Sequence, residues 1–246
     1  MNVITWNMQG ATGGSSSSFD IKKASTRYES KWVDNIAVLI KSNNVGVMLL
    51  QEVGSLPNGA IPVSQPINWL KGFAPPGGMA VGMYQWNLGS SYRKFIVNIL
   101  WVLCDTGANR NNLAIVWTDT LKASTCFFVD NVMDGRPSIG VTLTENSSAV
   151  NFFTLHAFSP GGNDGPGLTS SAAGIGAPYF IAGDFNRDPQ DAVIPSNGYL
   201  CSHDAITTHP GTGTNLDYAI SSASSVYGTV LSDYVASDHF PVMYNV

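Results

Sequence analysis

Short apolar runs, separated by clusters of Gly, Asn, Asp and Pro, recur along almost the whole chain. The runs are rich in Val, Ile, Phe, Tyr and Trp, and this composition is typical of β-strands. We therefore predict strands over 2–6, 45–50, 95–104, 113–117, 125–130, 137–143, 150–155, 179–182, 216–220 and 240–246.

One segment, 27–42, has the spacing of a helix instead. Its apolar residues recur every three or four positions and form one stripe that is expected to be buried. The stripe consists of Trp32, Val33, Ile36, Ala37, Leu39 and Ile40. Thr26 and Glu29 fit a capping box at the start of the helix, and Asn43 and Asn44 predict its end.

Many strands with few helices predict two mixed β-sheets that pack face to face, with helices on the outside. The Gly- and Ser-rich stretches 10–23 and 159–177 are predicted to be flexible loops, and the second contains little helix-forming sequence. Neither stretch resembles an interdomain linker, because candidate site residues flank both. The 246 residues are therefore expected to form a single α/β domain, 1–246.

The low charge of the chain restricts its function. Charged residues make up 12% of the sequence, and the formal net charge is −5. The chain has no global basic field to attract nucleic acid, which argues against a nonspecific DNA-binding module. A DNA-cutting enzyme is still allowed, because a bound divalent cation and a few arginines supply positive charge where phosphate lies. No apolar run reaches the length of about 18 residues that a membrane span needs.

Cys104, Cys126 and Cys201 allow at most one internal disulfide. Two of them lie in apolar, strand-like stretches, where buried free thiols are the expected state. No spacing of cysteine and histidine indicates structural zinc, and the redox compartment stays open. Met1 directly precedes the first predicted strand, so we expect no retained signal peptide, which fits a mature form whose leader has been removed.

Acidic and amide residues follow several predicted strands. Glu52 comes just after the run 45–50, and Asp184, Asn186 and Asp238 occupy similar positions later in the chain. Oxygen ligands of this kind are the ones that Mg²⁺ prefers. Each residue alone also fits an ordinary turn, because Asp and Asn favour turns. Asp184 and Asn186 stand two positions apart after a glycine that permits a tight turn, so both are expected to face the end of the sheet.

Two histidines lie at predicted strand ends, and one has a candidate carboxylate partner. A carboxylate that accepts a hydrogen bond from an imidazole fixes its tautomer and raises its basicity. Asp217 and His239 therefore predict a general base that removes a proton from water. His156 is suited to protonate a leaving oxygen or to contact phosphate. A lone histidine is often only structural, and we interpret His203 and His209 in that way.

Two arginines stand out because Lys and Arg together number only 12. Arg110 lies in the turn-like segment 107–113, and Arg136 lies between a glycine and a proline. The paired donors of a guanidinium can grip phosphate. The alternative for each is a surface arginine in a turn.

In sequence order, these residues resemble the DNase I-like endonuclease/exonuclease/phosphatase superfamily. The series is Trp6-Asn7-Met-Gln-Gly10, Gln51-Glu52, His156, Gly183-Asp-Phe-Asn186, Leu216-Asp-Tyr218 and Ser237-Asp-His239. Within that superfamily the resemblance to the catalytic B subunits of cytolethal distending toxins is closer. It rests on further motifs, namely Glu29-Ser-Lys-Trp32, Trp86-Asn-Leu-Gly89, Gly107-Ala-Asn-Arg110, Asn112-Leu-Ala-Ile-Val116, Arg136-Pro137, His156-Ala157 and Pro241-Val242.

The resemblance implies a DNase I-like four-layer α/β sandwich and Mg²⁺-dependent phosphodiester cleavage, with Ca²⁺ and Mn²⁺ as alternative ions. It assigns metal binding to Glu52 and Asp238, catalysis to His156, His239, Asp217, Asp184 and Asn186, and phosphate or substrate binding to Arg110, Arg136, Asn7 and Asn112. In this assignment Asp217 orients His239, which is the general base.

The expected function is that of a secreted, DNA-nicking genotoxin subunit that acts in the nucleus of a target cell, with delivery subunits as partners. A phosphatase that acts on phosphoinositides or other phosphomonoesters is the alternative, because it uses the same fold and residues. A catalytically inactive binding module would lack part of the set Glu52, Asp184, Asp217, Asp238 and His239, and all of these are present. The insert after Gly10 is longer than the resemblance leads us to expect, the segment 156–183 is shorter, and no basic run predicts a nuclear-localisation signal.

Overall fold

The computed structural model describes residues 1–11 and 30–246. Most of the regular secondary structure in these residues is β-strand. The strands are β1 (Asn2–Asn7), β2 (Val45–Gln51), β3 (Ile61–Pro62), β4 (Val81–Asn87), β5 (Ile96–Val102), β6 (Leu113–Thr118), β7 (Lys122–Val129), β8 (Ser138–Glu145), β9 (Ser148–His156), β10 (Tyr179–Asp184), β11 (Tyr199–Cys201), β12 (Asp217–Ser221), β13 (Gly228–Val230) and β14 (Val242–Asn245). The helical segments are a π-helical turn (Trp32–Ile36) that continues into α1 (Ala37–Ser42), then α2 (Gly165–Gly174) and a 3₁₀ turn (Pro189–Asp191).

The strands form two sheets. Sheet I has eight strands in the order β13-β14-β1-β2-β6-β5-β4-β3, and sheet II has six in the order β11-β12-β10-β9-β8-β7. Both are mixed, because β1 pairs in parallel with β2 and β9 pairs in parallel with β10, whereas their other neighbours are antiparallel. Parallel neighbours end at the same edge of a sheet. The polar residues that end these strands are therefore collected at one edge.

Side chains alternate between the two faces of each strand, and this alternation produces three apolar layers. In β1, Val3 faces the core between the sheets and Ile4 faces outward, and in β10 Phe180 and Ile181 divide in the same way. The outer face of sheet I packs against α1, and the outer face of sheet II packs against α2. Helix, sheet, sheet and helix make four layers, which confirms the predicted α/β sandwich.

Helix α2 corrects the prediction of a flexible loop over 159–177. Its glycines and serines have weak helix propensity, which is why the local pattern did not indicate a helix. Pro166 suits the first helical turn because its φ is already close to the helical value. Leu168, Ala172 and Ala173 are buried against sheet II, and this burial stabilises the helix despite its composition.

The helix predicted over 27–42 is seen from Trp32 to Ser42, with one change in the buried stripe. The capping box at 26–29 and most of the loop predicted over 10–23 lie outside the described residues. The helix begins with a π-helical turn, and a wider turn alters which side chains face the core. Val33 is therefore 50% exposed, whereas Ile36 is buried.

All the predicted strands are present, with ends shifted by a few residues, and four further strands were not predicted. The longest of these, β4, has a glycine and polar residues in its run and lies near the edge of sheet I, so its apolar signal is weak. β3, β11 and β13 are only two or three residues long. Short edge strands leave little pattern in a sequence.

Cys104, Cys126 and Cys201 are all free thiols. Burial raises the pKa of each thiol to about 12. In the residues that the structure describes, no helix combines the length and the apolar character needed to cross a bilayer.

Candidate active site

Three neighbouring strands of sheet II carry polar side chains at one edge. β9 ends at His156, β10 ends at Asp184 and β12 begins at Asp217, and the strand register places the three residues side by side. Sheet I contributes Asn7 at the end of β1 and Glu52 directly after β2. Asn7 Nδ2 donates a hydrogen bond to Asp184 Oδ2 over 2.8 Å, so the two sheets meet at this edge. All five side chains are buried.

His239 and Asp217 form a close, buried pair. Nδ1 of His239 lies 2.6 Å from Asp217 Oδ2, which leaves Nε2 available for a substrate. Burial, the largest single cause, opposes the charged imidazole, but the neighbouring carboxylates, with Asp217 first among them, together outweigh it, and the pKa of His239 is raised to about 9. Asp184 and Asp238 act in the same direction. The Trp6 indole donates to the carbonyl oxygen of His239 over 2.9 Å and so holds its loop in place.

Asp184 lies at the centre of the site. Its Oδ2 is 3.4 Å from Nε2 of His156 and 3.8 Å from Nε2 of His239. Its Oδ1 accepts a hydrogen bond from the backbone N–H of Asn186 over 2.9 Å. Burial, followed by the negative charge of Asp217, raises the pKa of Asp184 to about 7. The site therefore holds negative charge that its own cations compensate only in part.

Glu52 faces the same space from sheet I. Its φ of +49° lies in the left-handed region, which is uncommon for a residue other than glycine and often marks a functional site. Its Oε1 is 3.8 Å from Nε2 of His156, and its Oε2 accepts a hydrogen bond from Nε of Arg110. The Arg110 side chain is 49% exposed, so its guanidinium is accessible at the mouth of the site.

Asn112 is fully buried beneath the loop that carries Arg110. Its Oδ1 accepts hydrogen bonds from two backbone N–H groups of this loop, at 3.0 and 3.2 Å. Its Nδ2 donates to the carbonyl oxygen of Gly54 and to Oδ1 of Asn109, at 3.0 and 2.7 Å. These contacts use all the hydrogen-bonding groups of the amide. A contact of Asn112 with phosphate would therefore require one of these hydrogen bonds to break, and in this structure Asn112 holds the loop in place.

His156 has different surroundings from His239. It is buried, and its Nδ1 has no hydrogen-bond partner among residues 1–11 and 30–246. Arg136 donates from Nε to the carbonyl oxygen of His156 over 3.0 Å and from Nη2 to that of Ala157 over 2.8 Å. Burial, and next the charge of Arg136, lower the pKa of His156 well below its ordinary value. Both predicted arginines thus lie at the site, and Arg136 also anchors the end of β9.

Asn186 and Asp238 complete the predicted set. Asn186 follows Asp184 with a φ of +49°, and its Nδ2 donates to the carbonyl oxygen of Ala157 over 2.9 Å. Asp238 lies at the exposed rim, with 43% of its side chain accessible. One of its oxygens accepts a hydrogen bond from Gln9 Nε2 over 2.7 Å. Its predicted role as a metal ligand therefore belongs to the rim of the site rather than to its buried floor.

Two residues at the site were not predicted to act there. Lys31 is 2% exposed, and its Nζ donates to the carbonyl oxygen of Met8 over 2.5 Å. Burial lowers the pKa of Lys31 to about 8. His209, which we interpreted as structural, lies against His239 with a distance of 4.6 Å between ring centroids. Neither follows a strong strand-like run, so the strand-end pattern did not point to them.

The donor set fits a hard divalent cation. Carboxylate oxygens from Glu52 and Asp184 approach the same two groups, Nδ2 of Asn7 and Nε2 of His156. Asp217 Oδ1 is buried without a hydrogen-bond partner in the described part of the chain. A cation bound here would offset the negative charge that raises the pKa of Asp184. Glu52 and Asp184 would hold it through oxygen, which is the ligand that such ions prefer.

Comparison with known proteins places this site in a family. Residues 4–239 match the model described as the Endonuclease/Exonuclease/phosphatase family. The match spans nearly the whole chain, and the chain therefore belongs to this family of hydrolytic enzymes.

Within the family, the chain is homologous to the B subunits of cytolethal distending toxins. It is 30% identical to a homolog of the toxin's B subunit from Salmonella typhi, and the alignment covers 98% of this chain and 88% of the relative. The solved cytolethal distending toxin of Haemophilus ducreyi is 29% identical with a TM-score of 0.75, over 99% of this chain and 96% of the other. A structure of CdtB, the biologically active subunit of the toxin, is 28% identical with a TM-score of 0.77, again over 99% and 96%.

Proposed function

We propose that the chain is an Mg²⁺-dependent endonuclease that hydrolyses DNA phosphodiester bonds, as the catalytic, genotoxic subunit of a toxin of the cytolethal distending type. The observation that carries this proposal is the buried pair of His239 Nδ1 and Asp217 Oδ2 at 2.6 Å, directly beside the carboxylate of Asp184. The homology to the B subunits of these toxins supports the choice of DNA as the substrate.

His239, once Nε2 has lost its own proton, removes a proton from the attacking water through that nitrogen. Asp217 accepts the hydrogen bond from Nδ1–H, so it selects the tautomer that leaves Nε2 unprotonated and stabilises the imidazolium that forms. When bound, Mg²⁺ supplies positive charge that polarises the phosphate and offsets the carboxylates around the base.

His156 acts as a neutral hydrogen-bond donor in this scheme. Because its pKa is lowered well below the ordinary value, it carries no charge near neutral pH. Its Nε2, which faces Asp184 and Glu52, then donates to a phosphate oxygen rather than delivering a proton as imidazolium. Positive charge at the phosphate comes instead from Arg110, which contacts Glu52, and from Arg136, which contacts the end of β9.

The activity is tested by nicking of supercoiled plasmid in the presence of Mg²⁺. Wild-type protein should convert the plasmid to the open circle, and chelation of the metal should stop the conversion. The change His239→Ala should lower the rate by about 10² to 10⁴-fold, the usual contribution of a general base. His203→Ala is the matched control, because His203 contacts the carbonyl oxygen of Asp204 away from the site. Equal nicking by wild type and His239→Ala would reject the assignment.

The alternative activity, hydrolysis of phosphoinositides or other phosphomonoesters, is compared in the same experiment. Phosphate release from an inositol lipid is measured under the conditions used for nicking. Faster turnover of the lipid than of the plasmid would indicate that the protein is a phosphatase rather than a nuclease.

We further propose that the protein is secreted and acts in the nucleus of a target cell with the help of separate delivery subunits. The support is the homology to proteins whose names call them subunits of a toxin. Purification from the native host tests this, because a delivery subunit should remain attached to the chain. Recovery of the chain alone from culture fluid and cells would count against it.

A further inference from the structure

His209 lies next to the base of the proposed active site but takes no part in the mechanism. Its Nε2 is 3.8 Å from Asp238 Oδ2, and its ring meets the ring of His239 edge to face, with 4.6 Å between centroids. His209, Asp238 and His239 each offer a ligand atom, and these atoms all lie within 4.8 Å of one another. One metal ion can therefore contact all three side chains after small movements.

In both imidazoles, Nδ1 already has a hydrogen-bond partner. Nδ1 of His209 lies 2.7 Å from Oγ1 of Thr212, and Nδ1 of His239 lies 2.6 Å from Asp217 Oδ2. Metal-binding histidines in proteins usually have their second nitrogen fixed in this way, because the contact orients the ring and leaves the other nitrogen for the ion. Both rings therefore have Nε2 as the available ligand.

The turn that carries His209 is held by its own hydrogen bonds. The backbone N–H of His209 donates to the carbonyl oxygen of Thr214 over 3.0 Å, and the backbone N–H of Gly213 donates to the carbonyl oxygen of His209 over 3.0 Å. Thr208 links the turn to the active site, since its carbonyl oxygen accepts from the N–H of Phe240 over 2.8 Å. The position of His209 relative to His239 is thus set before any ion binds.

We propose that His209, Asp238 and His239 form a binding site for a divalent ion of the zinc class, distinct from the oxygen-ligand site for Mg²⁺. Two imidazole nitrogens and one carboxylate oxygen suit Zn²⁺, which takes such ligands in tetrahedral geometry with a water as the fourth. Mg²⁺ prefers oxygen ligands and does not compete well for imidazole. The hydrogen bond from Gln9 to Asp238 orients the carboxylate, as ligating carboxylates commonly require.

An ion at this site inhibits catalysis. It takes the lone pair of His239 Nε2, which is the pair that would accept the proton from water. This part rests on the proposed nuclease function, whereas binding of the ion does not.

Binding is measured first, by calorimetric titration of Zn²⁺ into metal-free protein in the presence of excess Mg²⁺, at about pH 8, where the ion has to displace the proton that His239 holds. Co²⁺ serves as a second probe, because tetrahedral coordination by nitrogen and oxygen gives it visible absorption. Wild-type protein should bind one ion and show this absorption. His209→Ala should lose both.

Thr212→Ala is the more discriminating variant. It keeps all three ligands and lies in an exposed turn, so it should fold normally, yet it should weaken Zn²⁺ binding by about 10 to 100-fold because His209 loses its orienting contact. His203→Ala is the control and should bind like wild type. Unchanged Zn²⁺ affinity in both His209→Ala and Thr212→Ala would overturn the proposed site.

Inhibition is then measured in the plasmid assay as the ratio of rates with and without Zn²⁺ for each protein. Wild type should be inhibited at Zn²⁺ concentrations near its dissociation constant, and Thr212→Ala only at concentrations about 10 to 100-fold higher. Binding through His209 without inhibition would overturn the inhibitory role alone. A wild-type protein that binds Zn²⁺ but never nicks DNA would reject the nuclease function and leave the metal site standing.

Discussion

Nε2 of His239 and Nε2 of His156 approach the same oxygen, Asp184 Oδ2, at 3.8 and 3.4 Å. Both imidazoles are buried, and they differ in what meets the other ring nitrogen. Nδ1 of His239 is paired with the carboxylate of Asp217, whereas Nδ1 of His156 has no hydrogen-bond partner in the described part of the chain. The charge that most affects the titration of His156 is the guanidinium of Arg136. The pKa of the first is raised to about 9, and that of the second is lowered well below its ordinary value.

The difference shows that burial alone does not decide the charge of these groups. Burial disfavours the protonated form of both histidines, and it is outweighed at His239, whose ring is hydrogen-bonded to a carboxylate and lies near two more. Lys31 follows the same rule, since its Nζ is held by carbonyl oxygens rather than by a carboxylate, and its pKa is lowered to about 8. Near neutral pH the metal-free site therefore holds one imidazole in the protonated form and the other in the neutral form.

Asp217→Asn should produce the largest change, because it removes the carboxylate contact by which the pKa of His239 differs from that of His156. The pKa of His239 should fall from about 9 towards its ordinary value of 6.5, and an amide in place of the carboxylate favours the wrong tautomer. The nicking rate should drop by about 10² to 10⁴-fold. Titration of the His239 ring by NMR and the plasmid assay measure these two effects, with Asp191→Asn at an exposed position as the control.

The same variant should alter the pH dependence of stability in metal-free protein. The folded pKa of His239, about 9, lies above the unfolded value of 6.5. The contribution of His239 to the free energy of unfolding is therefore fully present below pH 6.5 and is lost as the pH rises through 9. Asp217→Asn should remove most of this decline. A wild-type protein whose stability is flat over that range would contradict the contrast between the two histidines.

Lys31→Met tests the effect of burial on a cation that has no carboxylate hydrogen-bonded to it in the described part of the chain. The folded pKa of Lys31, about 8, lies below the ordinary value of 10.5, because the buried site disfavours the charged amine. The contribution of Lys31 to the free energy of unfolding is therefore present above pH 10.5 and is lost as the pH falls through 8. Between these values the free energy of unfolding of wild type should rise by at most about 3 kcal/mol from this residue. Denaturant unfolding at several pH values should show that Lys31→Met lacks this rise. Lys71→Met, at an exposed position, should keep it.

The floor of the site was predictable because it follows from strand pattern. Runs such as 45–50 and 179–182 show where a strand ends, and a carboxylate at that point must lie at the edge of the sheet. Glu52, Asp184 and Asp217 were found in this way. The register that places Asp184 between two neighbours is a property of strand pairing, and the sequence only implied it through the resemblance.

The rim was less predictable because long-range contacts of loops determine it. His209 reaches His239 through a turn that is tied to Phe240 by way of Thr208, and no local pattern indicates a contact between segments so far apart in sequence. Helix α2 depends in the same way on burial against sheet II rather than on helix-forming residues. Asn112 has the residue type of a phosphate ligand, and only its four contacts reveal that it supports a loop.

Arg136→Gln should give the smallest change, and it tests whether burial or neighbouring charge lowers the pKa of His156. Burial is the largest cause of the lowered pKa of His156, and the charge of Arg136 comes second. Removing that charge, while keeping an amide N–H for the carbonyl oxygens of His156 and Ala157, should raise the pKa by less than about one unit. NMR titration of the His156 ring measures the shift, and Arg93→Gln, outside the site, should leave it unchanged. If His156 then titrated at or above its ordinary value of 6.5, neighbouring charge rather than burial would be what keeps it neutral, and the rule drawn from the two histidines would fail.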